Sequence, residues 1–108
     1  MRFSKYKAVK TIVDGFTFAS KLEAKYYQIY SAMENAGVIK NLKMQTSLPF
    51  IFEGKKIFTY KPDFEYDDSD GVHHYIDVKS PITAKNQLFR LKRKLIESYY
   101  KIEIEIVM

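Results

Sequence analysis

The sequence predicts an α/β fold in which a mixed sheet is flanked by helices, in the order helix, three strands, helix, strand. Three observations carry this. Apolar residues recur at helical spacing in two segments, over residues 22–33 and 84–99. Between them lie three extended stretches rich in aromatic and β-branched residues, separated by polar turns that contain Gly. A final stretch alternates Ile with Glu.

Lys5 to Phe18 contains a short alternating stretch around Asp14-Gly15, which suits a hairpin turn. Ser20-x-x-Glu23 then fits a capping box, each side chain satisfying the other's orphan backbone N–H. Leu22, Tyr26, Ile29 and Met33 follow at the spacing of one helical face, and Gly37 falls where a left-handed cap is expected. The first helix is therefore Lys21 to Ala36. The extended segments are Lys43 to Phe52, Ile57 to Tyr66 and Val72 to Lys79. Glu53-Gly54-Lys55-Lys56 and Asp67-Asp68-Ser69-Asp70-Gly71 separate them, and an antiparallel meander is the simplest arrangement. Pro81 cannot donate to a ladder, so the third strand ends at Ser80-Pro81. A second helix spans Thr83 to Tyr99, with Ala84, Leu88, Leu91, Leu95 and Tyr99 as its core stripe. Ile102, Ile104 and Ile106 alternate with Glu103 and Glu105 in the last strand.

A chain of 108 residues has room for one domain, here 1–108, around one modest core. With 46% hydrophobic and 16% aromatic residues, the chain folds rather than remaining disordered. The absence of cysteine excludes disulfides, thiolate zinc sites and cysteine nucleophiles. No apolar run approaches the roughly 20 residues that cross a bilayer. Met1 to Lys10 is basic but has no following apolar stretch, unlike a signal peptide, so a cytoplasmic location is expected. The net charge of +5 and pI of about 9.3 attract polyanions, of which nucleic acid is the commonest.

The chemistry-bearing residues lie on the second hairpin. Alternation places Phe58, Tyr60, Phe64 and Tyr66 on one face and Asp63 on the other, and puts Asp77 and Lys79 on a common face. Thirteen residues separate Asp63 from Asp77, with Asp70 of the turn at their midpoint. A hairpin symmetric about Asp70 sets the two carboxylates opposite each other, with Cβ atoms about 4.5–5.5 Å apart. They would repel unless a cation sat between them. Mg²⁺ suits, because it binds one or two carboxylates and keeps waters and phosphate oxygens as its other ligands. Lys79, one pleat beyond Asp77, would hold water or neutralise charge developing on a phosphate.

Pro62-Asp63, then Asp77-Val78-Lys79, resembles the PD-(D/E)xK signature of a large nuclease superfamily with a restriction-endonuclease-like core, whose order α-β-β-β-α-β matches the elements above. The wider run Ser20-x-x-Glu23-Ala24, then Gln45, then Tyr60-Lys61-Pro62-Asp63-Phe64, is similar to short phage-encoded endonucleases, some of which cut branched DNA such as Holliday junctions. The resemblance implies an endodeoxyribonuclease dependent on Mg²⁺ or Mn²⁺, serving phage or mobile-element DNA processing. It implies catalysis by Asp63, Asp77 and Lys79, a metal site completed by the Val78 backbone carbonyl, and Glu23 as a further acid. A chain this small acting on duplex or branched DNA suggests a homodimer.

Simpler roles stand beside these. The capping box accounts for Glu23 without any metal. Gln45 either lies beside the metal site or is an ordinary exposed amide. Lys85, Arg90, Lys92 and Arg93 on the second helix either grip the nucleic-acid backbone or form a solvated face; Lys85 and Lys92 flank the core stripe, whereas Arg90 and Arg93 point outward. His73 and His74 face opposite ways on a strand and cannot act together. The acidic run Asp67 to Gly71 lacks the Gly and Glu positions of a calcium loop, so it is a turn. A non-catalytic nucleic-acid-binding module on the same fold is the alternative to an enzyme.

Overall fold

The computed structural model describes residues 9–108. Strands β1 (Thr11–Val13) and β2 (Phe16–Phe18) form a hairpin about Asp14-Gly15, with both turn residues at positive φ. The beginning of the predicted Lys5–Phe18 stretch lies outside the described residues. Helix α1 (Lys21–Asn35) follows, then β3 (Lys40–Met44), β4 (Leu48–Phe52), β5 (Lys55–Tyr60), β6 (Phe64–Asp67) and β7 (His73–Val78). A short helix α2 (Pro81–Ala84), helix α3 (Gln87–Tyr100) and strand β8 (Ile104–Val107) complete the chain. No helix among the described residues is long and apolar enough to cross a membrane.

The main sheet is mixed, as predicted, and has the order β3-β6-β7-β8. β3, β6 and β7 are antiparallel neighbours, whereas β8 lies parallel to β7 after the helical crossover. Helix α1 covers one face, where Ala24, Tyr27 and Tyr30 bury Phe64 and Ile76. Helix α3 covers the other, where Ile96 packs with Ile104 and Tyr60.

Two expectations about the strands need correction. Lys43 to Phe52 and Ile57 to Tyr66 each read as one strand, but each is broken. Gln45 takes a left-handed backbone (φ 57°), which ends β3. Pro62 has no N–H for a ladder and sits in the gap between β5 and β6. The two breaks fall at the same level. Met44 pairs with Phe64 and Leu48 with Tyr60, so the register resumes unchanged beyond the gap. The legs thus form one long hairpin opened in its middle, and β4 with β5 leaves the sheet as a separate two-stranded ribbon. Its turn is only Glu53-Gly54, both at positive φ, the backbone that two-residue hairpins require.

On α1 the predicted Tyr26 and Met33 do pack against the core, but the deepest positions differ from the predicted stripe, and α3 is rotated from its predicted face. The buried residues of α1 are Ala24, Tyr27 and Tyr30, and Ile29 is exposed. On α3, Leu88 and Leu91 are exposed, while Phe89, Ile96 and Tyr100 face the core. The second helix also breaks near its start. Ser80 and Thr83 cap α2 reciprocally, and Asn86 caps α3 by accepting from the Phe89 N–H.

Candidate active site

The site is built where the hairpin opens. β6 and β7 pair Phe64 with Ile76, and continuing that register places Asp63 opposite Asp77, as the symmetry about Asp70 predicts. Side-chain bonds then lock the gap. The Val78 N–H donates to Asp63 Oδ2 at 2.8 Å, the Asp63 N–H donates to Asp77 Oδ1 at 3.3 Å, and Gln45 Nε2 donates to Asp63 Oδ1 at 3.2 Å. Gln45 is therefore directly attached to the acidic pair.

Asp77 lies on the α3 side of the sheet and is only 2% exposed. The Tyr60 hydroxyl donates to its Oδ2. Aromatic rings and acids were expected on opposite faces; instead, the break at Pro62 separates Tyr60 from Phe64 and turns it toward Asp77. Tyr60 packs with the α3 cluster and Phe64 with the α1 cluster. Burial pushes Asp77 up to about 6, although the charges of Lys79 and Arg93 and the Asp63 N–H oppose the rise.

Glu23 arrives from the first turn of α1. Ser20 caps the helix through the Glu23 N–H, but the Glu23 carboxylate does not close the predicted box on Ser20. Its Oε2 accepts from the Ala19 N–H at 2.9 Å, and the carboxyl lies against Asp63. Burial first, then the facing Asp63, push Glu23 up to about 7, partly offset by the Ala19 bond and the charge of Lys79. A cleft of about 310 Å³ opens beside this pair. Glu23, Gln45 and Asp63 form its polar wall, and Phe16, Phe18 and Met44 its apolar wall.

Lys79 follows β7, its N–H bonded to the Val107 carbonyl. Its ammonium sits 4.5 Å from the centroid of the Phe89 ring, a cation–π contact that fixes the side chain near the acids. Phe89 has no local mark in the sequence, since it stands among Leu88, Arg90 and Leu91, whereas Tyr60 belongs to the run that carries the resemblance but has no role assigned there.

The basic residues of the last helices divide. Lys85 and Arg90 are exposed. Lys92 lies half-buried with its ammonium 5.4 Å from the Phe58 centroid. Arg93 was expected to point outward, but the rotation of α3 turns it in. Its Nη2 donates to the Ile104 carbonyl at 2.6 Å, and it pairs with Glu97 at 3.5 Å. Arg93 is therefore structural and supports Asp77 with positive charge from behind. The histidines are engaged elsewhere, His73 with Asp67 and His74 with both Asp68 and Glu105.

An α/β domain with carboxylates and an ammonium gathered at an interrupted hairpin is the class that fold and site define. The family described as "Protein of unknown function (DUF1064)" matches residues 3–107, and the chain belongs to that family. No curated protein matches the chain.

Proposed function

We propose that this chain is a metal-dependent endodeoxyribonuclease of the PD-(D/E)xK kind. The observation that carries this is the joining of Asp63 to Asp77 where the hairpin opens, with Glu23 and Lys79 beside them. With the β1–β2 hairpin, the β4–β5 ribbon and the short α2 set aside, α1, β3, β6, β7, α3 and β8 run in an α-β-β-β-α-β order, which supports a restriction-endonuclease-like core.

The donor set fits Mg²⁺ or Mn²⁺. Glu23 facing Asp63, and a desolvated Asp77 whose carboxylate accepts from the Asp63 N–H, are unfavourable as anions without a cation, and their oxygens match a hard ion. Among the described residues no three His, Cys, Asp or Glu side chains form a ready cage. The ion would therefore draw on Asp63, Asp77, the Val78 carbonyl and solvent, with Glu23 near. An extended residue sends its N–H and C=O to the same edge, and the Val78 N–H already points at Asp63. The bound ion would supply a lowered water pKa and a clamp on the phosphate. Lys79 Nζ would donate to the phosphate oxygen that gains charge, held in place by Phe89. Glu23, titrating near neutrality, is suited to hold or take up a proton. Lys85 and Arg90 would contact the DNA backbone. Branched DNA in phage or mobile-element processing is the proposed setting, within the cytoplasm and with a homodimer as the acting form.

A second reading is a nucleic-acid-binding module that does not cut. It is favoured by the burial of Asp77, both of whose oxygens already accept protein hydrogen bonds. Nicking of supercoiled plasmid in Mg²⁺ separates the two. The nuclease reading expects wild-type activity that Asp77→Ala abolishes; DNA binding without nicking, or nicking that survives Asp77→Ala, overturns it.

A further inference from the structure

We infer that the outer half of the β4–β5 ribbon is an arm that grips nucleic acid, with Phe52 laid against bases and Lys55 and Lys56 on phosphates. The inner half of the ribbon is held firmly. Phe50 and Phe58 stack with centroids 5.2 Å apart, Phe50 meets Tyr99 at 5.2 Å, and the Tyr100 hydroxyl donates to the Pro49 carbonyl. The outer half is different. The register slips between Phe50 and Ile51, leaving Ile57 unpaired at the bulge and 53% exposed, and beyond it Phe52 is 59% exposed. Bulges of this kind re-aim side chains and bend the strand.

Apolar side chains on a free ribbon are costly unless something covers them, and the charges beside them say what. Lys55 and Lys56 are both exposed at the tip and outnumber the turn's exposed Glu53, on a chain whose net charge is +5, which suits a polyanion and disfavours a second copy of the same arm. Both legs are rooted at the acidic site, since Gln45 lies three residues before Leu48 and Asp63 three after Tyr60. At about 3.3 Å per residue, the tip stands roughly 17 Å out from the packed base of the ribbon. A two-stranded ribbon fits the DNA major groove, and an aromatic side chain can stack on or wedge between bases.

The arm deepens the nuclease proposal and rests on its nucleic-acid partner, but it is tested by binding rather than cutting. Fluorescence anisotropy of the full chain would use a labelled four-way DNA junction containing 2-aminopurine, with Ca²⁺ in place of Mg²⁺. Phe52→Ala should weaken binding roughly tenfold, the worth of one base–aromatic stack, and abolish the 2-aminopurine signal. Lys55→Ala with Lys56→Ala should lower the slope of log Kd against log salt by about two. Thermal melts of both variants check that they fold. Binding within about twofold of wild type at an unchanged slope in both variants overturns the arm; so does a wild type that binds no DNA. Arm-dependent binding without nicking would sink the nuclease proposal and leave the arm standing. Nicking by wild type that the arm variants match in both binding and rate would do the reverse.

Discussion

Gln45 and Asp63 leave the two legs of one hairpin at the same level and bond to each other across the gap at 3.2 Å. The opening frees Asp63 from ladder pairing, so its carboxylate can take the Val78 N–H and face Glu23. Gln45 thus sets where the Asp63 carboxylate points. With Asp63 as a ligand of the proposed ion, Gln45 stands one step removed from the metal, where such groups typically matter about 10- to 100-fold in metal affinity or activity. Gln45→Ala should raise the Mg²⁺ concentration for half-maximal nicking by that order while leaving thermal stability nearly unchanged. A metal titration of nicking rate, beside a melt, checks both.

The acids give the metal-free protein a defined pH dependence. Glu23 rises from 4.5 to about 7 and Asp77 from 3.8 to about 6, so the folded state holds protons that the unfolded chain has released. The contribution of these two acids to stability is therefore fully present below their ordinary carboxylate values and is lost as pH climbs through about 6 and about 7. Melts across this range should show the decline, Glu23→Gln should flatten its upper part, and Mn²⁺ should restore stability more at alkaline than at acid pH.

Tyr60 supplies the hydroxyl to the inner oxygen of Asp77. Tyr60→Phe leaves that buried acceptor unpaired, which costs about 1–3 kcal/mol. The loss should be larger above neutrality, where Asp77 must be charged, than at pH 5, where it can keep its proton. Chemical denaturation at the two pH values tests this.

His74 bridges the turn after β6 to β8. Its hydrogen bonds and charge pairing with Asp68 and Glu105 raise it above 6.5, against the opposing effect of burial. The stabilisation is fully present below pH 6.5 and disappears as pH rises through the higher folded value. The difference in Tm between wild type and His74→Ala should shrink along that rise, and Mn²⁺ should not restore it. That insensitivity separates this histidine from the acid cluster.

Much of this architecture was legible because the β6–β7 hairpin keeps one register from its turn to the site. The symmetry about Asp70 places Asp63 beside Asp77 because the interruption ends before Phe64, outside the paired legs. The interruption itself was hidden, since residues 43–52 and 57–66 alternate without a gap in their pattern. Only Pro62 signalled it, and the left-handed backbone of Gln45 has no compositional mark. The α3 face was misread for a related reason. α3 carries apolar residues on two sides, and Leu88 and Leu91 compete with Phe89, Ile96 and Tyr100 for the core stripe. Choosing the wrong side turned Arg93 outward, whereas it bonds the Ile104 carbonyl.

The most direct test of the central claim is calorimetric titration of Mn²⁺ into the wild type, Asp63→Asn and Asp77→Asn at neutral pH. An ion held by both aspartates requires saturable binding by the wild type that either substitution removes. Binding of equal strength in all three, or none in the wild type, would contradict it.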